Sequence, residues 1–149
     1  MANADYTRIV VADPADFDTV CDLLVACCLP TEGLADHMAT CLVVRQKGVI
    51  AGSVALELYG QSALLRSLAV RADQRGSGLG KALTTAALTL AADHAVANVY
   101  LLTETAPQFF SRLGFSTVSR TDVPELVRHS LEFTTACPDT AQAMHRALG

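Results

Sequence analysis

Tryptophan is absent from these 149 residues, charged side chains make up only 17% of them, and no uncharged apolar run approaches the ~18 residues of a membrane helix. Each absence excludes something. The charge share lies below the ordinary ~25% and stands beside a hydrophobic content of 51%, which argues against a disordered chain. The uncharged mid-chain stretch 82–92 is interrupted by three threonines, so a membrane span is not expected. Met1-Ala2-Asn3-Ala4-Asp5 has neither the basic nor the apolar region of a secretory signal, and a cytoplasmic protein is expected. Zinc-like cysteine spacing is also missing. Cys21, Cys27, Cys28, Cys41 and Cys137 contain no C-x-x-C, so no metal is expected and the thiols read as free, small buried hydrophobes.

What is present is enough apolar material for one domain spanning residues 1–149, which at this length buries roughly 70% of its unfolded surface. The net charge of −4 disfavours a nucleic-acid partner, but the signs are unevenly spread. Residues 1–40 carry Asp5, Asp13, Asp16, Asp18, Asp22, Glu32 and Asp36 against Arg8, whereas residues 62–81 carry Arg66, Arg71, Arg75 and Lys81 against Asp73. A local basic island in an acidic chain suits one anionic small molecule.

Along the chain, β-branched residues 7–11 predict a strand, and Asp13-Pro14 starts an amphipathic helix ending near residues 26–28, before Pro30. A polar loop with a short helical turn at Asp36-His37-Met38 follows. Residues 42–45 and 49–58 predict a hairpin about Lys47-Gly48, and Tyr59-Gly60-Gln61 turns the chain into a strand over 63–70. A helix over 81–94, ending on His94 as a dipole cap, and strands at 99–102, 115–118 and 131–134 complete an α/β domain with mixed strand order. Phe109, Phe110 and Leu113 sit on a brief helix closed by Gly114.

The informative stretch is Leu68-Ala69-Val70, then Arg75-Gly76-Ser77-Gly78-Leu79-Gly80-Lys81. A strand enters a loop with glycines at alternate positions, and a helix begins at its end, so backbone amides can cradle an anion flanked by Arg75 and Lys81. Neither the Walker A spacing nor the dinucleotide fingerprint fits it.

This segment resembles the acyl-CoA loop of the GNAT superfamily of N-acetyltransferases. Leu68-Ala69-Val70 resembles the family's central strand, and Phe109-Phe110-Ser111-Arg112-Leu113-Gly114-Phe115 its late helix-to-strand corner, in the family's order over residues 42–118. Leu29-Pro30-Thr31-Glu32-Gly33-Leu34, Leu64-Leu65-Arg66-Ser67, Leu101-Leu102-Thr103-Glu104-Thr105, and Glu132-Phe133 with Cys137-Pro138 are similar to the branch found in arsenic-resistance operons. The resemblance implies a mixed, mostly antiparallel sheet flanked by helices, with acetyl-CoA bound where central strands splay. It further implies that backbone groups of Leu68, Ala69 and Val70 hold the pantetheine arm, with the Val70 N–H facing the thioester oxygen. Amides from Arg75 to Lys81 (Gly76, Ser77, Gly78, Leu79 and Gly80 between them) would hold the pyrophosphate, with Thr103 and Phe110 also at the cofactor. The implied acceptor is a small amino-acid-like amine, and arsenic-containing or phosphinic glutamate analogues are the branch's suspected substrates.

Two positions depart from the family. Phe110 stands where many members carry a tyrosine that protonates the leaving thiolate, and Thr103 where an asparagine is common. Glu57, on the strand expected beside the central one, is the candidate base through water; otherwise it is a solvated strand carboxylate. Glu32 is a second acid at the acceptor loop or a surface residue, and Glu104 an inward acid or a helix-terminal one. Arg66 is the candidate fork for a substrate carboxylate; otherwise it is a strand-surface arginine.

Three functions remain open. One is the resistance-type acetyltransferase, and one a glutamate-type enzyme of ordinary metabolism. The third is a non-catalytic acetyl-CoA sensor that captures arsenite through Cys27-Cys28 with Cys41 or Cys137. The apolar composition is compatible with a homodimer.

Overall fold

Strand alternation decides the layering of this fold. The computed structural model describes residues 8–130 and 140–148. Its strands are β1 (Ile9–Val11), β2 (Cys41–Gln46), β3 (Val49–Tyr59), β4 (Ser62–Val70), β5 (Asn98–Thr103), β6 (Ser116–Thr117) and β7 (Gln142–Ala147). They form one seven-stranded sheet in the order β1-β2-β3-β4-β5-β7-β6. Every neighbouring pair is antiparallel except β4 and β5, which run parallel. In β2, Leu42 and Val44 enter one core while Cys41 and Val43 enter another, so the sheet is covered on both faces.

The helix α1 (Phe17–Ala26) lays Val20, Leu23 and Leu24 on one face, and α2 (Leu79–Asp93) lays Leu83, Ala87 and Ala91 on the other. The short helices are α3 (Pro107–Arg112), which adds Phe110 to the α2 side, and α4 (Glu125–Arg128), whose Val127 packs with Leu64, Tyr100 and Ala143. Gly52 makes the α2 packing possible. A Cβ there would lie 2.8 Å from Leu83 Cδ1 and 3.1 Å from the Ala69 carbonyl, so helix and strand approach more closely than a side chain allows.

The expected α/β architecture and its meander are present. The first strand is shorter than expected, Ile9–Val11, and Thr7 lies outside the described residues. A 3-10 turn at Pro14–Asp16 precedes α1, α2 begins two residues before Lys81, and the strand expected over 115–118 shrinks to Ser116–Thr117. His94 does cap α2. The strand expected at 131–134 lies outside the described residues. The strand that closes the sheet is β7, which the sequence does not signal: Gln142, Ala143, Met144 and Arg146 are all good helix formers. Pairing with β5 on one side and β6 on the other overrides that preference.

Candidate functional site

The sheet opens in its middle. Parallel pairing of β4 with β5 covers only Ser62 with Asn98, Ala63 with Val99 and Leu64 with Tyr100, after which both strands continue unpaired to Val70 and Thr103. A bulge in β4 accompanies the split. Ala55 pairs with Arg66 but Ser53 pairs with Ala69, so Ser67 and Leu68 both stand opposite Val54. Ser67 takes the left-handed backbone the bulge requires, with φ 60. Two contacts lock it: Ser53 Oγ donates to the Ser67 carbonyl at 2.9 Å, and Arg66 Nε donates to Ser67 Oγ at 3.0 Å.

The ladder sets which way the open edge faces. Arg71 N donates to the Ala51 carbonyl at 2.8 Å, so Gly52 and Val70 form the following non-hydrogen-bonded pair. The Val70 N–H and C=O therefore point away from β3, toward the split, and Leu68 two residues earlier shares that side. Ala69 faces the other way, its side chain in the α1 core.

At the C-terminal end of β4, a 3-10 turn (Ala72–Gln74) leads through residues 75–78 into α2. Gly76 and Gly78 are left-handed, φ 83 and 85, and Gly78 is the N-cap with no side chain over the first amides of the helix. Those amides are open to an anion. Ser77 Oγ is used within the loop, donating to the Gln74 carbonyl at 2.6 Å, and the Leu79 side chain is buried, so these residues offer backbone only. Gly80 sits under Phe109, whose ring lies 3.4 Å from where a Cβ would be. Lys81 is exposed on the first turn. Arg71 is bound by Asp73 through two 2.8 Å bonds, and Arg75 turns back, donating to the Val70 carbonyl at 3.3 Å and to Cys27 Sγ at 3.3 Å.

A cavity of about 580 Å³ fills the split. Its walls are residues 65–68 of β4, residues 101–106, Phe109 and Phe110, and the end of α1 with its following loop, including Cys27 and Glu32. A strand edge facing the split, a helix start whose first amides are open at one end and a pocket at the other can hold a long phosphorylated ligand in one direction.

A profile described as "Acetyltransferase (GNAT) domain" matches residues 37–117, more than half of the chain. The chain belongs to the GNAT acetyltransferase family. An uncharacterised N-acetyltransferase of Chlorobaculum tepidum is 29% identical over 97 residues, 64% of this chain and 62% of that protein, so the match spans less than two thirds of the relative. Among solved structures, N-acetylglutamate synthase of Neisseria gonorrhoeae in complex with coenzyme A and N-acetyl-glutamate superposes with a TM-score of 0.82 at 20% identity. It covers 95% of this chain and 35% of the synthase. A Mycobacterium tuberculosis protein in complex with CoA gives a TM-score of 0.81 at 20% identity, covering 95% and 99% of the two chains.

Within this GNAT domain, two expected roles need correction. Glu57 is 1% exposed rather than solvated. Its carboxylate accepts from Arg66 Nη1 at 2.8 Å, from Tyr59 Oη and from Ser130, with His37 Nε2 at 3.8 Å. Burial works to raise its pKa, but the hydrogen bonds from Ser130, Tyr59 and Arg66 outweigh it, and the carboxyl is held below its ordinary value. A buried, fully engaged anion with a lowered pKa is a poor base. Burial, together with the bond it donates to the Glu57 carboxylate, pushes the Tyr59 hydroxyl well above its usual range.

Arg66 is likewise not an open fork. Its side chain is 0% exposed, with Nη1 on Glu57, Nε on Ser67 Oγ and Nη2 3.5 Å from the Pro30 carbonyl. Glu57 and Arg66 are diagonal neighbours across the β3–β4 ladder, where opposite charges attract.

Phe110 is buried against Phe109 and Phe115, edge-on at 5.0 and 5.8 Å, and Thr103 Oγ1 accepts from the Ala106 amide at 3.1 Å to start α3. Both also line the cavity. Glu32 and Glu104 are exposed at its rim. Cys27 and Cys28 line it too, whereas Cys41 is buried in the α1 core with its thiol pushed up to about 11 by burial. No three-group metal cluster occurs among the described residues, and Cys137 lies outside them. Ser53, Ser67, Tyr59 and Ser130 complete the site without a sequence signal of their own.

Proposed function

We propose that residues 1–149 form a single acetyltransferase domain that moves acetyl from acetyl-CoA to the amine of a small amino-acid-like acceptor. The observation that carries this reading is the split between β4 and β5, with an open strand edge leading from the α2 start into a pocket. In it, the Leu68 and Val70 backbone groups pair with the pantetheine arm as an added strand would, and the amides of residues 75–81 take the pyrophosphate. The pocket holds two substrates side by side, which supplies much of the rate by orientation. With Glu57 closed, the rim carboxylates Glu32 and Glu104 are left to attract the acceptor ammonium and to take its proton through water. Phe110 supplies no proton, so the departing thiol, ordinarily acidic near ~8.5, leaves as thiolate or is protonated by water.

The finer substrate class rests on the resemblance to the arsenic-resistance branch, which points to arsenic-containing or phosphinic glutamate analogues. Glutamate itself is the metabolic alternative. No helix among the described residues is long and apolar enough to cross a membrane. Cytoplasmic placement and a homodimer belong to the same proposal.

Incubation with acetyl-CoA, a thiol reagent and a panel of amino acids beside those analogues tests it. Thiol release dependent on one acceptor class is expected. Preference for glutamate at low concentration would set the resistance reading aside. Tight CoA binding with no release for any amine would favour the non-catalytic reading, for which Phe110 is the supporting residue.

A further inference from the structure

Ser67 stands out among the cavity residues. It is 6% exposed, its carbonyl is held by Ser53, and its Oγ accepts from Arg66 Nε. Among the described residues the hydroxyl proton meets no acceptor, and the residue lines the cavity. A buried donor left without a partner costs stability unless something else uses it. Phe110 has no proton to give, and Thr103, whose Oγ1 also accepts a bond, from the Ala106 amide, stands on β5 across the split.

Direction along β4 identifies what Ser67 meets. The glycine loop follows Val70, so a ligand seated by its phosphates there runs back along the open edge past Val70 and Leu68. Its reactive end then enters the cavity, which Leu68 and Ser67 line and Val70 does not. We infer that the Ser67 hydroxyl donates a hydrogen bond to the acyl oxygen during transfer, and that Arg66 is the positioning residue that aims it. This rests on the acetyltransferase reading above, and it adds a side-chain donor beside the backbone N–H groups of β4. Ser67 keeps its proton throughout. The amine nitrogen forms the new C–N bond, the C–S bond breaks with its electron pair leaving on sulfur, and the amine proton passes to water at the rim. The buried Glu57–Arg66 pair fixes Nε on Ser67 Oγ, so the donor is oriented before the reaction begins.

Ser67→Gly is the decisive variant because glycine keeps the left-handed bulge while removing the hydroxyl; Ser67→Ala is its companion. Steady-state kinetics should show kcat lowered about a hundredfold, with acceptor KM and calorimetric CoA affinity within about twofold of the wild type. Arg66→Lys should lower kcat in the wild-type background but add nothing in the Ser67→Gly background, since both changes silence one donor. Wild-type kcat in Ser67→Gly, or a loss confined to acceptor KM, overturns the assignment. So does additive loss in the double variant, for Arg66. A wild-type protein that binds CoA and acetylates no amine overturns the transferase reading, and the hydroxyl assignment with it.

Discussion

Replacing Glu57 with glutamine should unfold this domain more readily than almost any other single polar change. The carboxylate is 1% exposed and holds Arg66, whose own side chain is 0% exposed. Glu57→Gln leaves that guanidinium buried with a neutral partner and weakens the bonds from Tyr59 and Ser130. Breaking a buried pair from one side costs about 3–5 kcal/mol, a large part of the ~5–15 kcal/mol available to a typical domain. With a urea slope of about 2 kcal/mol/M, the midpoint falls by about 1.5–2.5 M. The sign with pH follows from the lowered carboxyl: its stabilisation is fully present above the unfolded value of ~4.3 and is lost as pH falls through the still lower folded value. The gap between wild type and Glu57→Gln should therefore close below about pH 4. Glu57→Gln with Arg66→Met should recover stability relative to Glu57→Gln alone, because no unpaired charge remains. A Glu57→Gln midpoint within 0.3 M of wild type, flat with pH, would refute the buried-pair account; that bound corresponds to roughly 0.6 kcal/mol.

At Gly78 (φ 85) a Cβ meets nothing within 4 Å, so the cost of Gly78→Val is backbone strain of roughly 1–2 kcal/mol, not a clash. Gly78→Asn, which tolerates that backbone, should fold normally and still bind CoA more weakly by calorimetry; unchanged affinity there removes the loop from the phosphate site. Gly52→Ala should lower the thermal midpoint through overpacking of about 1–3 kcal/mol against Leu83, and adding Leu83→Ala should not worsen it by the full amount of that single change. Thiol titration of the native protein should leave Cys41 unreacted until unfolding, and saturating CoA should slow modification of Cys27 while arsenite changes neither; rapid labelling of Cys41 would contradict its burial.

Much of this fold was legible because local chemistry and tertiary structure agree. Gly48 in the hairpin turn, Gly76 and Gly78 in the loop before α2 and Gly114 at the corner all take left-handed angles that glycine favours, and all three turns appear where expected. Disagreement explains the failures. β7 is built from helix-forming residues and becomes a strand only because two neighbours pair with it, a fact stored elsewhere in the chain. In the sequence Glu57 reads as a base or a solvated carboxylate, and Arg66 as a substrate fork or a surface arginine. Their meeting depends on the β3–β4 register, which a bulge shifts by one residue, and nothing about an ordinary serine announces that Ser67 will take a left-handed backbone.

That bulge also links stability to the site. An unpaired strand edge inside a sheet is ordinarily a liability, since its amide groups invite another strand. Here the Val70 carbonyl is met by the Cys27 thiol at 3.6 Å and by Arg75 Nε at 3.3 Å, both long and weak contacts from exposed or half-buried side chains. Such contacts satisfy the edge without closing it. An arriving amide of the right spacing offers shorter bonds in their place and releases the Arg75 guanidinium, which lies at the start of the glycine loop. If the arm pairs with β4 as proposed, the same step returns a positive charge to the neighbourhood of the phosphates, and arm and phosphate recognition should reinforce each other. Arg75→Ala should therefore weaken CoA more than it weakens a dephosphorylated pantetheine, for which only the edge contact matters, and equal losses for both ligands would mean that Arg75 serves the edge alone.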